Sequence, residues 1–257
     1  MAGTCNARLS TKRDGRPIRE ALPLDGIMIL TAHQPTYLPW LGLFDKIAQA
    51  EHFCLFDVCP MEDSGFENRN KILTQNGEQW LTVPVRRVRE APLSELRIAS
   101  GHPWQRKHWR SIELAYHKAP FWDRYAPELK PFYDGIEWDM LAELDHALLR
   151  WFMNALGLKQ PITIASKIPG GLAGAKSELV LSMCKALGAT EYIFGTQGQD
   201  YAYLAAFEEA GIKVRFQKYE HPTYPQLKPG FTSHMSVLDL LMNVGPDSLK
   251  VLTGGAK

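Results

Sequence analysis

The sequence predicts an α/β protein with a mostly parallel, Rossmann-like sheet flanked by helices, and three observations lead there. Short apolar runs suited to buried strands recur at 27–30, 52–58, 162–165, 190–195 and 212–217, most of them followed by a helical pattern. Polar hydrogen-bonding residues stand where these runs stop, which is where open α/β sheets bind ligands. Between 102 and 158 the alternation gives way to helical periodicity alone, which reads as a helical insertion or cover.

The first unit is Ile27–Phe44, I-M-I-L-T-A-H-Q-P-T-Y-L-P-W-L-G-L-F. Its apolar strand ends at Thr31-Ala32-His33-Gln34. Pro35 and Pro39 then fix φ and hold the preceding residues extended, and Pro39 suits the first turn of a helix running through Leu43, Phe44 and Ile47. His33 and Gln34 therefore occupy a constrained loop at a strand's carboxyl end. The run from His52 to Val58 completes a βαβ unit, and a right-handed crossover puts Asp57 on the same sheet edge as His33. An imidazole and a carboxylate placed so can share one ligand.

After an acidic loop at Cys59–Gly65, the segment F-E-N-R-N-K-I offers Arg69 and Asn70 to a phosphate or carboxylate, the arginine in bidentate fashion. Trp80–Val85 alternates like a strand, with Pro84 restricting it to an edge or an end. Trp104, His108, Ile112 and Tyr116 recur at i+4, so His108 lies on an apolar helix stripe as a buried, satisfied residue. A second helix from about Trp138 to Leu156 ends at Gly157.

Ile162–Ala165 opens another strand–helix–strand unit. Its loop resembles a P-loop, but Ala175 separates Gly174 from Lys176, so a Walker A site is rejected. Cys184 belongs to the core face of the helix that ends at Ala186. After Phe194, G-T-Q-G-Q-D-Y brings Thr196 and Gln197 to the cleft edge, with Asp200 as a helix N-cap. A Pro-held loop after the strand at 212–217 carries His221, Tyr224 and Gln226. Ser236 and Asp239 read as a capping box opening the last helix.

Composition limits the function classes. Hydrophobic residues make up 45% of the 257, enough for a real core, and 29 Lys+Arg against 28 Asp+Glu leave a net charge of +1. So even a balance predicts no nucleic-acid partner. No apolar run approaches the roughly 20 residues that span a bilayer, and the N-terminus lacks the apolar region of a signal peptide, so the expected protein is cytoplasmic and not inserted in a membrane. Cys5, Cys54, Cys59 and Cys184 match neither a disulfide framework nor a zinc-ligand pattern, so no metal is expected. Residues 1–26, polar and aperiodic, read as a flexible tail before a single domain over 27–257.

Taken in order, H-Q-P-T-Y-L-P-W-L-G-L-F-D-K-I-A, R-N-K-I, W-L-T-V-P-V, C-K-A-L-G-A-T-E-Y-I-F-G, Y-E-H-P-T-Y-P-Q and S-V-L-D-L-L-M-N-V-G together resemble the WbqC-like protein family. The resemblance runs from about residue 28 to 252. It implies association with O-antigen, other surface-glycan or natural-product pathways, and it draws attention to Gln34, Trp40, Asp57, Arg69, Asn70, His221, Tyr224 and Gln226. Where the family usually reads D-D-V-Q-F, this chain has F-D-V-C-P, which puts Cys59 in place of a glutamine.

The functional expectation is a biosynthetic transferase acting on an activated small molecule, nucleotide-, acyl- or aminoacyl-linked, with a small-molecule donor and acceptor as partners. His33, Asp57 and His221 are the candidate catalytic groups. Gln34, Tyr37, Trp40, Arg69, Asn70, Thr196, Gln197, Tyr224 and Gln226 are the candidate substrate contacts. The alternatives are a non-catalytic binding or scaffold protein and, third, a thiol-dependent acyl transferase or hydrolase using Cys59. No cofactor is specified by any motif, and the oligomeric state is left open.

Overall fold

The computed structural model describes residues 26–63, 65–200 and 202–255; the expected tail up to residue 25, with Cys5, lies outside them. The chain begins with β1 (Ile29–His33), α1 (Leu41–Ala48) and β2 (His52–Leu55). A hairpin of β3 (Arg69–Thr74) and β4 (Gly77–Thr82) follows, then a short pair, β5 (Val85–Arg86) and β6 (Arg97–Ile98). The helical cover consists of α2 (Trp104–Tyr116), α3 (Trp122–Leu129) and α4 (Leu141–Leu156). The chain then returns through β7 (Ile162–Ile164), α5 (Ser177–Ala186), β8 (Glu191–Phe194), α6 (Leu204–Glu209) and β9 (Lys213–Phe216), and closes with α7 (Val237–Val244) and α8 (Ser248–Leu252).

Five strands form one parallel sheet in the order β7-β2-β1-β8-β9. The chain builds outward from β1 through β2 to β7 on one side, then restarts at β8 on the other. Strand order therefore reverses between β1 and β8, which makes their carboxyl ends the topological switch point of the sheet. The seam is tied by Thr31, fully buried, whose hydroxyl donates to the Ile193 carbonyl at 2.8 Å.

Alternation along the strands supplies a core on each face. Phe53 and Leu55 point into the larger cluster with α1, the helical cover and α7, while Cys54, Leu30, Ala32, Tyr192 and Phe194 pack against α5 and α6. Cys184 is buried in that second cluster, as its helical position implied. Gly157 ends α4 in the left-handed region at φ 79, where a side chain would be strained.

Several elements differ from expectation. The segment around Arg69 and Asn70, to which the sequence pattern assigned no regular element, is a strand, β3, with Asn70 and Ile72 buried. Trp80–Val85 is two strands broken at Val83-Pro84, since proline cannot donate to a ladder. Helix α6 starts after Tyr203 rather than at Asp200, which lies in a 3-10 turn, Thr196–Asp200. Pro39 precedes the N-cap, Trp40, instead of entering the first turn of α1, and its carbonyl accepts from the Val237 N–H at 2.8 Å. Only half of the capping box forms: the Ser236 hydroxyl accepts from the Leu238 N–H, while Asp239 turns elsewhere.

Candidate functional site

A cavity of about 760 Å³ opens at the switch point. Its walls take His33 and Gln34 from the end of β1, Gly195, Thr196 and Gln197 from the end of β8, and Tyr219, His221 and His234 from the strap that follows β9. Trp40, Gly42, Leu43 and Lys46 of α1 form another wall, with Glu62, Phe66, Glu67 and Asn70 across from the loop and hairpin. Residues far apart in the chain thus meet at one sheet edge, as the strand-end rule predicts.

His33 presents one unengaged ring nitrogen in the cavity lining. Its Nδ1 lies 2.9 Å from the Gln34 carbonyl, and a carbonyl only accepts, so Nδ1 carries the hydrogen and Nε2 the lone pair. The Thr36 hydroxyl donates to the same carbonyl, and the Trp40 ring meets the imidazole edge-on with centroids 4.9 Å apart. Burial first, and then the charge of Lys46, lower the His33 pKa to about 4 against the opposing Gln34 bond. The ring is neutral at pH 7, and its Nε2 has no partner among the described residues.

His221 is different. Its Nδ1 donates to the Pro222 carbonyl at 2.8 Å, and its Nε2 accepts from the His234 N–H at 3.2 Å. Both ring nitrogens are therefore engaged within the strap. The bond also restrains His234, which sits at φ 61, a conformation unfavourable for a residue with a Cβ.

Five expected site residues lie outside the cavity lining. Asp57 is buried, and both its oxygens are taken by Ser166, Oδ1 by the N–H at 2.8 Å and Oδ2 by the hydroxyl at 2.6 Å. It anchors the turn after β7. Arg69 donates from Nε to the Gly65 carbonyl and lies over the Trp80 ring at 5.1 Å. Tyr37 is fully buried, its hydroxyl bonded to Tyr133 and to His108 Nδ1. Tyr224 and Gln226 both donate to Asp239 Oδ2, at 2.9 and 2.8 Å, and so pin the strap to α7. Asn70 lines the cavity, but its amide is committed to the Leu38 carbonyl and the Lys71 N–H. Burial raises the Cys59 pKa, so the thiol stays protonated near neutrality, and Cys59 is not a lining residue.

The sequence reading passed over Lys46, Tyr219 and His234. Lys46 is 5% exposed; its ammonium donates to the Ala32 carbonyl at 2.9 Å, and burial lowers its pKa to about 8. Gly42 and Leu43, four and three residues before Lys46, lie on the face of α1 that carries it. A Cβ on Gly42 would stand 2.9 Å from the Tyr219 ring, so glycine is what lets that ring lie against the helix. The neighbouring Asp45 is occupied by Gln49 and by Gln217, which bridges it to the Gly42 carbonyl.

Outward from His33, rings continue through Trp40 and Phe66 to Trp80, with successive centroids 4.9, 6.2 and 5.9 Å apart. Phe66 and Trp80 are 42% and 47% exposed, so the ladder leads from the cavity to solvent. Among the described residues no cluster of His, Cys, Asp or Glu is arranged to hold a metal ion, and no helix is long and apolar enough to cross a membrane.

Among known proteins, the uncharacterized protein Rv1507c of Mycobacterium tuberculosis is 33% identical over 228 residues, which is 84% of this chain and 95% of that protein. No solved structure matches. The profile of the WbqC-like protein family matches residues 34–251, a span that takes in every cavity-lining residue except His33. With most of its length and nearly all of its candidate site inside that match, the chain belongs to the WbqC-like protein family.

Proposed function

We propose that this protein is a cytoplasmic transferase that moves a group from an activated small molecule to an acceptor in a surface-glycan or natural-product pathway. The observation that carries the reading is the pairing, in one cavity at the switch point, of a neutral imidazole with a free Nε2 and a buried ammonium. His33 takes the proton from the attacking hydroxyl or amine of the acceptor. Lys46 stabilises negative charge on the donor as the bond to the leaving group breaks. Gln34, Thr196 and Gln197 line the same edge and orient the donor, while the ring ladder gives a planar or ring-shaped acceptor a surface on which to stack.

The test is a thermal-shift screen with nucleotide sugars, ATP, coenzyme A thioesters and aminoacyl donors, followed by a search for acceptor-dependent turnover of whichever class binds. A ligand at 100 times its Kd stabilises by about 2.7 kcal/mol, which is readily measured. Binding of one donor class with His33-dependent turnover supports the transferase. Absence of a shift with every class removes this reading and favours a scaffold protein.

A further inference from the structure

We infer that Lys46 and Tyr219 form the docking point for one oxyanion, a phosphate or carboxylate group of the donor, and that its arrival makes His33 a stronger base. The inference deepens the transferase reading and rests on it for the identity of the donor.

Three observations converge. First, the Lys46 ammonium is a buried cation with no carboxylate within ion-pair distance among the described residues; its one hydrogen bond is to the Ala32 carbonyl. An ammonium offers three donors, and a buried charge without a partner is costly, so the arrangement is complete only with an anion. Second, the Tyr219 hydroxyl is a buried polar atom without a partner among the described residues. Burial raises its pKa, so it remains a donor, and its ring packs on the face of α1 that carries Lys46 one turn further on. Third, Lys46 Nζ lies between the carboxyl ends of β1 and β8: it bonds Ala32, and a Cβ on Gly195 would stand 3.9 Å from it. Both donors thus line the same cavity, with Lys46 at the point where strand order reverses.

Coupling to His33 follows from charge. The lysine's positive charge is one of the two influences that hold the imidazole's basicity down, so an anion that neutralises Lys46 restores part of it. The charge of Asp45 on α1 also bears on Tyr219, with Asp45 Oδ2 accepting from Gln49 and Gln217, and the other ionisable groups around the cavity are Glu62 and Glu67 on the opposite wall and His221 and His234 on the strap. Glu67 is shifted toward its neutral form by burial and His221 likewise, which leaves Lys46 as the wall's anion receptor.

The experiment is isothermal calorimetry on the full chain with two probes: sulfate, a phosphate mimic whose own charge does not change near pH 8, and acetate for a carboxylate. One probe is expected to bind at pH 7, with affinity falling as pH rises through about 8, because the ammonium is the binding form. In wild type at pH 8, buffers of different ionisation enthalpy should reveal proton uptake on binding, and the His33 ring resonance should titrate at higher pH with the probe present. Lys46→Met should weaken binding at least tenfold, and Tyr219→Phe severalfold. Preference for sulfate assigns a phosphoryl group and preference for acetate a carboxylate. No binding of either probe, binding without proton uptake, or undiminished binding by Lys46→Met overturns the inference. Turnover without an oxyanion effect would leave the transferase standing and sink this inference; an oxyanion effect with no turnover would do the reverse.

Discussion

The side-chain amide of Asn70 donates to the carbonyl of Leu38 at 2.6 Å, and Leu38 is held in the left-handed region at φ 47. The corner that carries His33 and Gln34 into α1 therefore depends on a strand 32 residues further on. Asn70→Asp keeps the acceptor for the Lys71 N–H but removes the donor and sets a carboxylate against a carbonyl. A loss of about 1–3 kcal/mol in urea denaturation is expected, with weaker donor binding; unchanged stability would show that the corner holds itself.

His33 and His221 should respond differently to substitution. His33→Ala removes the only imidazole nitrogen of the two that is free to take a proton, so kcat should fall at least about a hundredfold with little change in melting temperature. His221→Ala breaks two bonds that shape the strap, so it should lower stability by about 1–3 kcal/mol and act mainly on KM. Equal kcat losses in the two variants would return His221 to a direct role.

Thiol chemistry makes an opposite forecast. Cys59→Ser should leave turnover within a few fold of wild type, because burial keeps the thiol protonated and the group lies off the cavity. A loss beyond about a hundredfold, some 2.7 kcal/mol of barrier, would put Cys59 at the centre of the mechanism.

Acid should find the protein at its buried histidines. His108 is 6% exposed, and burial lowers its pKa from 6.5 to about 4 against a bond to the Thr82 carbonyl. The folded state prefers the neutral ring, so this contribution is complete above the unfolded value of 6.5 and is lost as pH falls from there toward 4. The full effect is roughly 3 kcal/mol at 1.4 kcal/mol per pH unit. Stability curves of wild type and His108→Gln between pH 7 and 4 should converge; parallel curves would refute the assignment.

Much of this architecture was legible in the residues. The runs before His33 and Asp57 and around Tyr192 and Val214 announced buried strands because a parallel sheet covered on both faces demands continuous apolar residues. Trp104, His108, Ile112 and Tyr116 announced α2 through their spacing. Strand order was not legible, since neighbours in a parallel sheet are chosen by packing across the whole chain. The strand-end rule pointed to His33, Gln34, Thr196, Gln197 and His221, which line one cavity. It also named Asp57 and Arg69, which lie off the cavity lining and are engaged by Ser166 and by Gly65 with Trp80, partners that no local pattern reveals. Lys46 did leave a signal: a lysine on the same face as Gly42 and Leu43, in a helix otherwise apolar apart from Asp45. Tyr219 opens the Y-E-H-P-T-Y-P-Q motif but, like His234, left no periodic signal, because the strap between β9 and α7 has no periodicity.

The seam between β1 and β8 also sets when the cavity can exist. Leu30 pairs with Tyr192, and the hydrogen bond from Thr31 to Ile193 closes a loop of 162 residues. Such a contact is reached late, since loop-closure entropy is spent before the pairing rewards it, and domains rich in distant pairings fold slowly. On the ribosome, β1, α1 and β2 emerge early with the edge of β1 that will receive β8 still bare, and that edge stays open until the second half of the chain has been made. The cavity wall made by β1 and α1 is thus synthesised well before Thr196, Tyr219 and His234, and the cavity they share closes only once those later residues have been made.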